Sequence, residues 1–180
     1  QQEALNEIIK DFQRPFPANR LLEGDVGSGK TVVAALAMWL TAKNNFQAAL
    51  LSPTEVLTTQ HYANLLEFFR NDGFDIVLLT STQAKLNGNP VSRETLLSAI
   101  QSGKSKIILG THALLEKKVK FSNLAFVVID EQHRFGVEQR KKLIQKTNNL
   151  TIKQFNNLTL PHFLSMTATL ILFPHTPRDD

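Results

Sequence analysis

Two clusters of residues in this chain have types and spacing that can do chemistry. The first, Gly24-Asp25-Val26-Gly27-Ser28-Gly29-Lys30-Thr31, fits G-x-x-x-x-G-K-[ST] and lies between a short apolar run, Arg20-Leu21-Leu22, and a segment with helical spacing. That context is what a phosphate-wrapping loop requires. Glycines let backbone N–H groups close around phosphate oxygens with no side chain in the way. Lys30 is placed to neutralise the β- and γ-phosphates of ATP, and Thr31 to offer its hydroxyl to Mg²⁺. The amino end of the following helix adds a partial positive charge. A glycine-rich turn without a ligand is the plainer alternative, but a chance match in a chain this size is about one in a hundred at average glycine usage.

The second cluster is Val127-Val128-Ile129-Asp130-Glu131, an apolar strand that ends in two carboxylates. Such a strand end lies where α/β sheets bind ligands. Asp130 is expected to hold Mg²⁺ through water, and Glu131 to orient or deprotonate an attacking water, which favours a hydrolase over a passive binder. A solvated acidic strand end would explain a lone pair, but not one placed downstream of a phosphate loop and followed by Gln132-His133.

Weaker signals surround these two. The hydroxyls of Ser165-Met166-Thr167-Ala168-Thr169 come off another strand and would reach the γ-phosphate, although threonine also suits strand ends by propensity alone. Ser52-Pro53-Thr54-Glu55 and Gly110-Thr111-His112 end strands on the same edge, where small residues and exposed N–H groups suit nucleic-acid phosphates. For Thr54, helix capping is a parallel reading. Lys104, Lys106, Lys117, Lys118, Lys120, Lys141, Lys142 and Lys146 supply positive charge that is equally a solvated face, and Trp39 reads as packing.

The elements that must position these residues alternate. Helical spacing predicts helices over 2–12, 30–42, from Pro53-Thr54 until Asp72-Gly73 stops it (with Leu57, His61, Leu65 and Phe69 on one face), 92–102 and 137–145. Short apolar runs predict strands at 20–22, 48–52, 76–79, 106–109, 126–129 and 162–166, with polar loops at 87–90 and 148–157. The alternation predicts an α/β domain around a mainly parallel central sheet.

The bulk numbers agree with one globular domain: 180 residues, 42% hydrophobic and 20% charged. With no cysteine, thiolate zinc sites and disulfides are excluded. The five histidines, His61, His112, His133, His162 and His175, lack metal-ligand pairing and read as structural or surface residues. The apolar stretch 32–40 is half a membrane span and reads as a buried helix, so no membrane partner is expected. No targeting signal is visible, and the missing initiator methionine suggests a piece of something larger. A net charge of +4 and a pI near 9.4 are compatible with phosphate-rich partners without establishing one.

With GDVGSGKT, SPTEVLTTQH, GTHALL, VVIDEQHRFGVEQR and SMTAT in this order, the chain resembles the bacterial RecG family of ATP-dependent DNA helicases, in superfamily 2. The resemblance runs from Gln1 to Thr169 and is most specific over Asp130 to Arg140. It implies a three-layer RecA-like fold over residues 1–169, cofactors ATP and Mg²⁺, and DNA-dependent hydrolysis that remodels branched DNA such as forks and Holliday junctions in the bacterial cytoplasm. Position by position it makes Gly24 to Thr31 the Walker A loop, Asp130 to His133 the Walker B box, and Thr167, Ala168 and Thr169 the coupling motif. Pro53, Thr54, Gly110 and Thr111 become phosphate-tracking positions, and Gln1 matches an adenine-recognising glutamine.

Two departures accompany the resemblance. Residues 170–180 do not continue with the family's proline-rich segment, which points to a frameshift, a truncation or a cloning scar. The second RecA-like domain with its arginine finger and the fork-gripping wedge domain are missing, so a truncated module that binds ATP or ADP without DNA-stimulated turnover is the alternative reading. A small P-loop kinase is disfavoured by the Asp-Glu-Gln-His box and the lack of an arginine-bearing lid.

Overall fold

In the computed structural model, residues 1–14, 16–25, 27–131 and 160–168 are described. Eight strands form one sheet: β1 (Asn19–Gly24), β2 (Gln47–Leu51), β3 (Asp75–Leu79), β4 (Ala84–Leu86), β5 (Asn89–Pro90), β6 (Ser105–Gly110), β7 (Leu124–Ile129) and β8 (His162–Ala168). Their spatial order is β1-β8-β7-β2-β6-β3-β4-β5, and only the β3–β4 and β4–β5 pairs are antiparallel. Four α-helices are described, α1 (Gln2–Phe12), α2 (Lys30–Lys43), α3 (Glu55–Phe68) and α4 (Arg93–Gln101), together with a 3₁₀ turn at His112–Leu115.

The helices form two layers because side chains along a strand point alternately to opposite faces. Ala48 and Leu50, Ile76 and Leu78, and Ile107 and Leu109 face α1, α2 and α3. Their neighbours Ala49 and Leu51, Val77 and Leu79, and Ile108 face α4 and the 3₁₀ turn. The continuous apolar reading of the central strands follows, since both faces are covered. The expected three-layer α/β class with a mainly parallel sheet is the class observed.

Local signals set the helix ends. The Thr54 hydroxyl accepts from Leu57 N–H at the start of α3, and Ser92 accepts from Thr95 N–H at the start of α4. Within stretch 32–40 in α2, Val33, Ala34, Ala35, Ala37 and Met38 are buried, Val32, Trp39 and Leu40 are half-buried, and Leu36 is exposed. Trp39 packs, its indole N–H donating to Asp72 Oδ1 at 2.9 Å. No helix among the described residues is long and apolar enough to cross a membrane. The predicted helix at 137–145 and loop at 148–157 lie outside the described residues.

Two features differ from expectation. The stretch 87–90, read as a polar loop, is the turn and second strand of a hairpin: Leu86 pairs with Asn89 across Asn87 and Gly88, at φ 49° and 85°. Consecutive positive φ values of this kind match the twist of a two-residue hairpin, for which Asn-Gly is the preferred pair. The second is Gln47, which the strand prediction omitted. It is fully buried, its Nε2 donating to the Ile100 and Ser105 carbonyls and its Oε1 accepting from Ser122 N–H and Asn123 N–H. Gln47→Leu would leave the Ile100 and Ser105 carbonyls without this partner in the interior and release the part-buried Ser122 and Asn123 N–H groups. It should lower unfolding free energy by about 3 kcal/mol, read as a lower urea midpoint at unchanged m-value.

Candidate functional site

Because β1, β8, β7, β2, β6 and β3 run parallel, their carboxyl ends emerge along one edge of the sheet. Gly24 of β1 is in register with Ala168 of β8, and Ser165 of β8 with Ile129 of β7. The phosphate loop and Asp130 therefore follow β1 and β7, with Thr167 and Ala168 ending β8 between them. On the other side Leu51 of β2 is in register with both Ile129 and Gly110. The ladder continues one step beyond the strands, with Asp130 N–H donating to Leu51 O at 2.9 Å and Ser52 N–H to Gly110 O at 3.1 Å. One edge thus carries both sets of predicted residues side by side.

Within the loop, the Lys30 ammonium donates to Gly24 O at 2.5 Å and to Asp25 O at 2.8 Å. Gly29 stands at φ 88°, and a Cβ there would fall 2.1 Å from Gln1 Nε2. The backbone therefore favours glycine, while the Gln1 side chain can swing away from a Cβ. Gln1 reaches the loop, donating from Nε2 to Ser28 O at 3.0 Å. Gly29 is also the N-cap of α2 and has no side chain to cap the first-turn N–H groups, a geometry suited to an anion.

Past β7, the Asp130 carboxylate is held from two sides. Oδ1 accepts from Glu131 N–H at 3.0 Å, and Oδ2 is 2.7 Å from His61 Nε2 on α3. An ionised carboxylate only accepts, so Nε2 carries the proton. Glu131 has φ 51°, a left-handed conformation that costs a non-glycine residue about 1 kcal/mol or more and gathers at functional positions. It ends the strand geometry directly after Asp130.

The strand ends read as phosphate-tracking positions divide. Pro53 and Thr54 are partly exposed, with the Thr54 hydroxyl already used as a cap. Thr111 is buried, and Gly110 has a packing reason to be glycine: a Cβ would lie 2.4 Å from the Leu79 carbonyl. Glu55, beside Pro53, accepts from Ser81 Oγ and Thr82 Oγ1, each at 2.6 Å, and from Thr82 N–H. The hydroxyls of Ser81 and Thr82 pull its pKa down to about 2. A phosphate near Pro53 must therefore avoid a fixed negative charge. Lys104 lies 3.7 Å from Asp75, and Lys106 donates to Asn45 O, at the amino end of β6 and so on the far edge from Pro53.

Sequence reasoning missed the His61–Asp130 contact and the Glu55 clamp; helical spacing had placed His61 only on a packing face. Val26, His133, Thr169, residues 170–180, Lys141, Lys142 and Lys146 lie outside the described residues.

Comparison with known proteins follows the same lines. ATP-dependent DNA helicase RecG of Aquifex aeolicus is 43% identical over 150 residues, 83% of this chain and 18% of that protein. The RecG of Synechocystis sp. is 44% identical over 171 residues, 95% of this chain and 19% of that protein. The chain spans about a fifth of the length of the curated relatives it matches. A solved structure of RecG bound to a three-way DNA junction superposes with TM-score 0.72 at 35% identity, covering 93% of this chain and 20% of that one. The DUF1998 helicase MrfA, 20% identical with TM-score 0.64, shares the fold. The fold is thus the RecA-like one that the motifs implied. The DEAD/DEAH box helicase family matches residues 1–175, and the chain belongs to that family.

Proposed function

We propose that this chain is the ATP-binding motor domain of a DNA helicase or translocase that couples ATP hydrolysis to the remodelling of branched DNA, in recombination and repair in the bacterial cytoplasm. The observation that carries the reading is the adjacency, along one sheet edge, of the Lys30 loop and Asp130 with the ends of β2 and β6. Support for branched DNA comes from the similar RecG proteins, named as DNA helicases, one of them solved on a three-way junction.

The residues present fit Mg·ATP. Gly27 and Gly29 hold the left-handed turns of a phosphate cradle, and Lys30 is anchored across it by two carbonyls. Thr31 and Asp130 offer one hydroxyl and one carboxylate, the sparse protein donor set that suits Mg²⁺ bound mainly by phosphate and water. Mg²⁺ bound there would neutralise charge developing on the phosphates. In this reading Gln1 contacts adenine, Glu131 takes a proton from the attacking water, and His133 completes the box. Thr167, Ala168 and Thr169 transmit the state of the γ-phosphate, while Pro53, Thr54, Gly110 and Thr111 follow the DNA backbone, Gly110 and Thr111 through main-chain groups.

Taken alone, these 180 residues should bind Mg·ATP weakly and hydrolyse it slowly, with little response to DNA. A second RecA-like domain would supply an arginine finger, worth about 10³ to 10⁵ in rate. Steady-state ATPase with and without forked DNA tests both halves, run on this chain and on a longer chain that carries it. Strong stimulation of the 180 residues alone would overturn their incompleteness. Failure of the longer chain to respond to forked DNA would overturn the motor assignment.

A further inference from the structure

His61 hydrogen-bonds a carboxylate of the candidate site, that of Asp130. It sits in the middle of α3, on the stripe occupied one turn away on either side by Leu57 and Leu65. Its side chain and that of Asp130 are 12% and 13% exposed, so the contact is shielded from water. The other ring nitrogen, Nδ1, is buried with no hydrogen-bond partner among the described residues. Such an orphan costs about 1–3 kcal/mol, which a leucine at this position would avoid. Packing alone therefore gives no reason for histidine here.

The contact does have a local consequence. Asp130 Oδ1 is held by the N–H of the next residue, which moves with the same main chain, so this bond alone sets the carboxylate's rotation only weakly. His61 supplies the second anchor, at 2.7 Å, from a different element. Asp130 is also bonded through its own N–H to Leu51 O, the last residue of β2. The unit made of β2, the Ser52-Pro53-Thr54 turn and α3 thus grips Asp130 twice, once by main chain and once by the imidazole.

We propose that His61 is a positioning residue for Asp130, fixing the carboxylate in the orientation that Mg²⁺ requires and making α3 part of the metal side of the nucleotide site. This rests on the reading of Lys30 and Asp130 as an Mg·nucleotide site. A partner that orients a metal-side ligand contributes about tenfold or more to metal affinity.

The test is binding of a fluorescent ADP analogue to the 180-residue chain, in EDTA and in saturating Mg²⁺. The unsubstituted chain should bind more tightly with Mg²⁺. His61→Leu should lose about tenfold of that gain while leaving affinity in EDTA unchanged. His61→Gln, whose Nε2 can stand where the imidazole Nε2 stands, should restore most of it. In an Asp130→Ala background, His61→Leu should have no further effect, because the two residues act as one. If His61→Leu fails to fold, His61→Asn, polar but too short to reach, replaces it with the same expectations. An Mg²⁺ gain that survives loss of His61, that glutamine does not rescue, or that falls equally without Asp130 would overturn the proposal alone. Absence of any Mg²⁺ gain in the unsubstituted chain would overturn the nucleotide-site reading and this inference with it.

Discussion

Lys30→Ala should abolish measurable Mg·ATP binding while leaving the domain folded. Lys30 is the first residue of α2, and its ammonium is anchored by the Gly24 and Asp25 carbonyls across the mouth of the loop. A triphosphate in that loop brings several negative charges into contact with backbone N–H groups, and among the loop's side chains from Gly24 to Thr31 only Lys30 carries a full positive charge. Charge-assisted hydrogen bonds are about twice as strong as neutral ones, so losing this one removes about 3 kcal/mol or more, a loss of at least about a hundredfold. Alanine is the strongest helix former, so α2 should not fray at the substituted position. Titration calorimetry with Mg·ATP and a circular-dichroism melt separate the outcomes. Retained affinity at unchanged melting temperature would mean that the loop does not hold the phosphates.

Which residues stand on this edge was legible where the signal is local and obscure where it depends on topology. Gly24 to Thr31 and Asp130-Glu131 read directly, because a cradle needs glycines at fixed offsets and a strand end needs only an apolar run before its carboxylates. That β8 lies between β1 and β7 is a matter of strand order, for which no residue in 162–168 carries a signal. The His61–Asp130 contact joins residues 69 apart in the chain across a helix and a sheet. Spacing gives the face of α3 on which His61 lies, but not what that face meets. Gln47 is similar, since its four partners come from three separate segments. The hairpin is a different case: Asn87-Gly88 carried the turn signal, and the short flanking runs hid the strands. Gly110 shows how one residue type serves two causes. A glycine at a strand end suits a phosphate, yet here the Leu79 carbonyl already forbids a side chain.

Glu131→Gln should preserve Mg·ATP binding and stop turnover, in a chain long enough to show DNA-stimulated hydrolysis. The substitution keeps volume and hydrogen-bonding reach but removes the basic oxygen pair, so a water aimed at the γ-phosphorus no longer gives up its proton to this side chain. General-base catalysis of this kind contributes about 10² to 10⁴ in rate, and the loss should be of that size. Binding should hold or tighten, because one negative charge leaves the neighbourhood of the phosphates. The backbone gives no reason for the variant to misfold: glutamine meets the same left-handed cost at φ 51° that glutamate does. Glu131→Gly separates the two roles of the position, since it relieves that strain yet also removes the base, and it should be as inactive as glutamine. Analogue binding and steady-state phosphate release on both variants decide the matter. Wild-type hydrolysis in Glu131→Gln would remove Glu131 as the base, and recovery of turnover only in Glu131→Gly would assign the position to backbone shape instead.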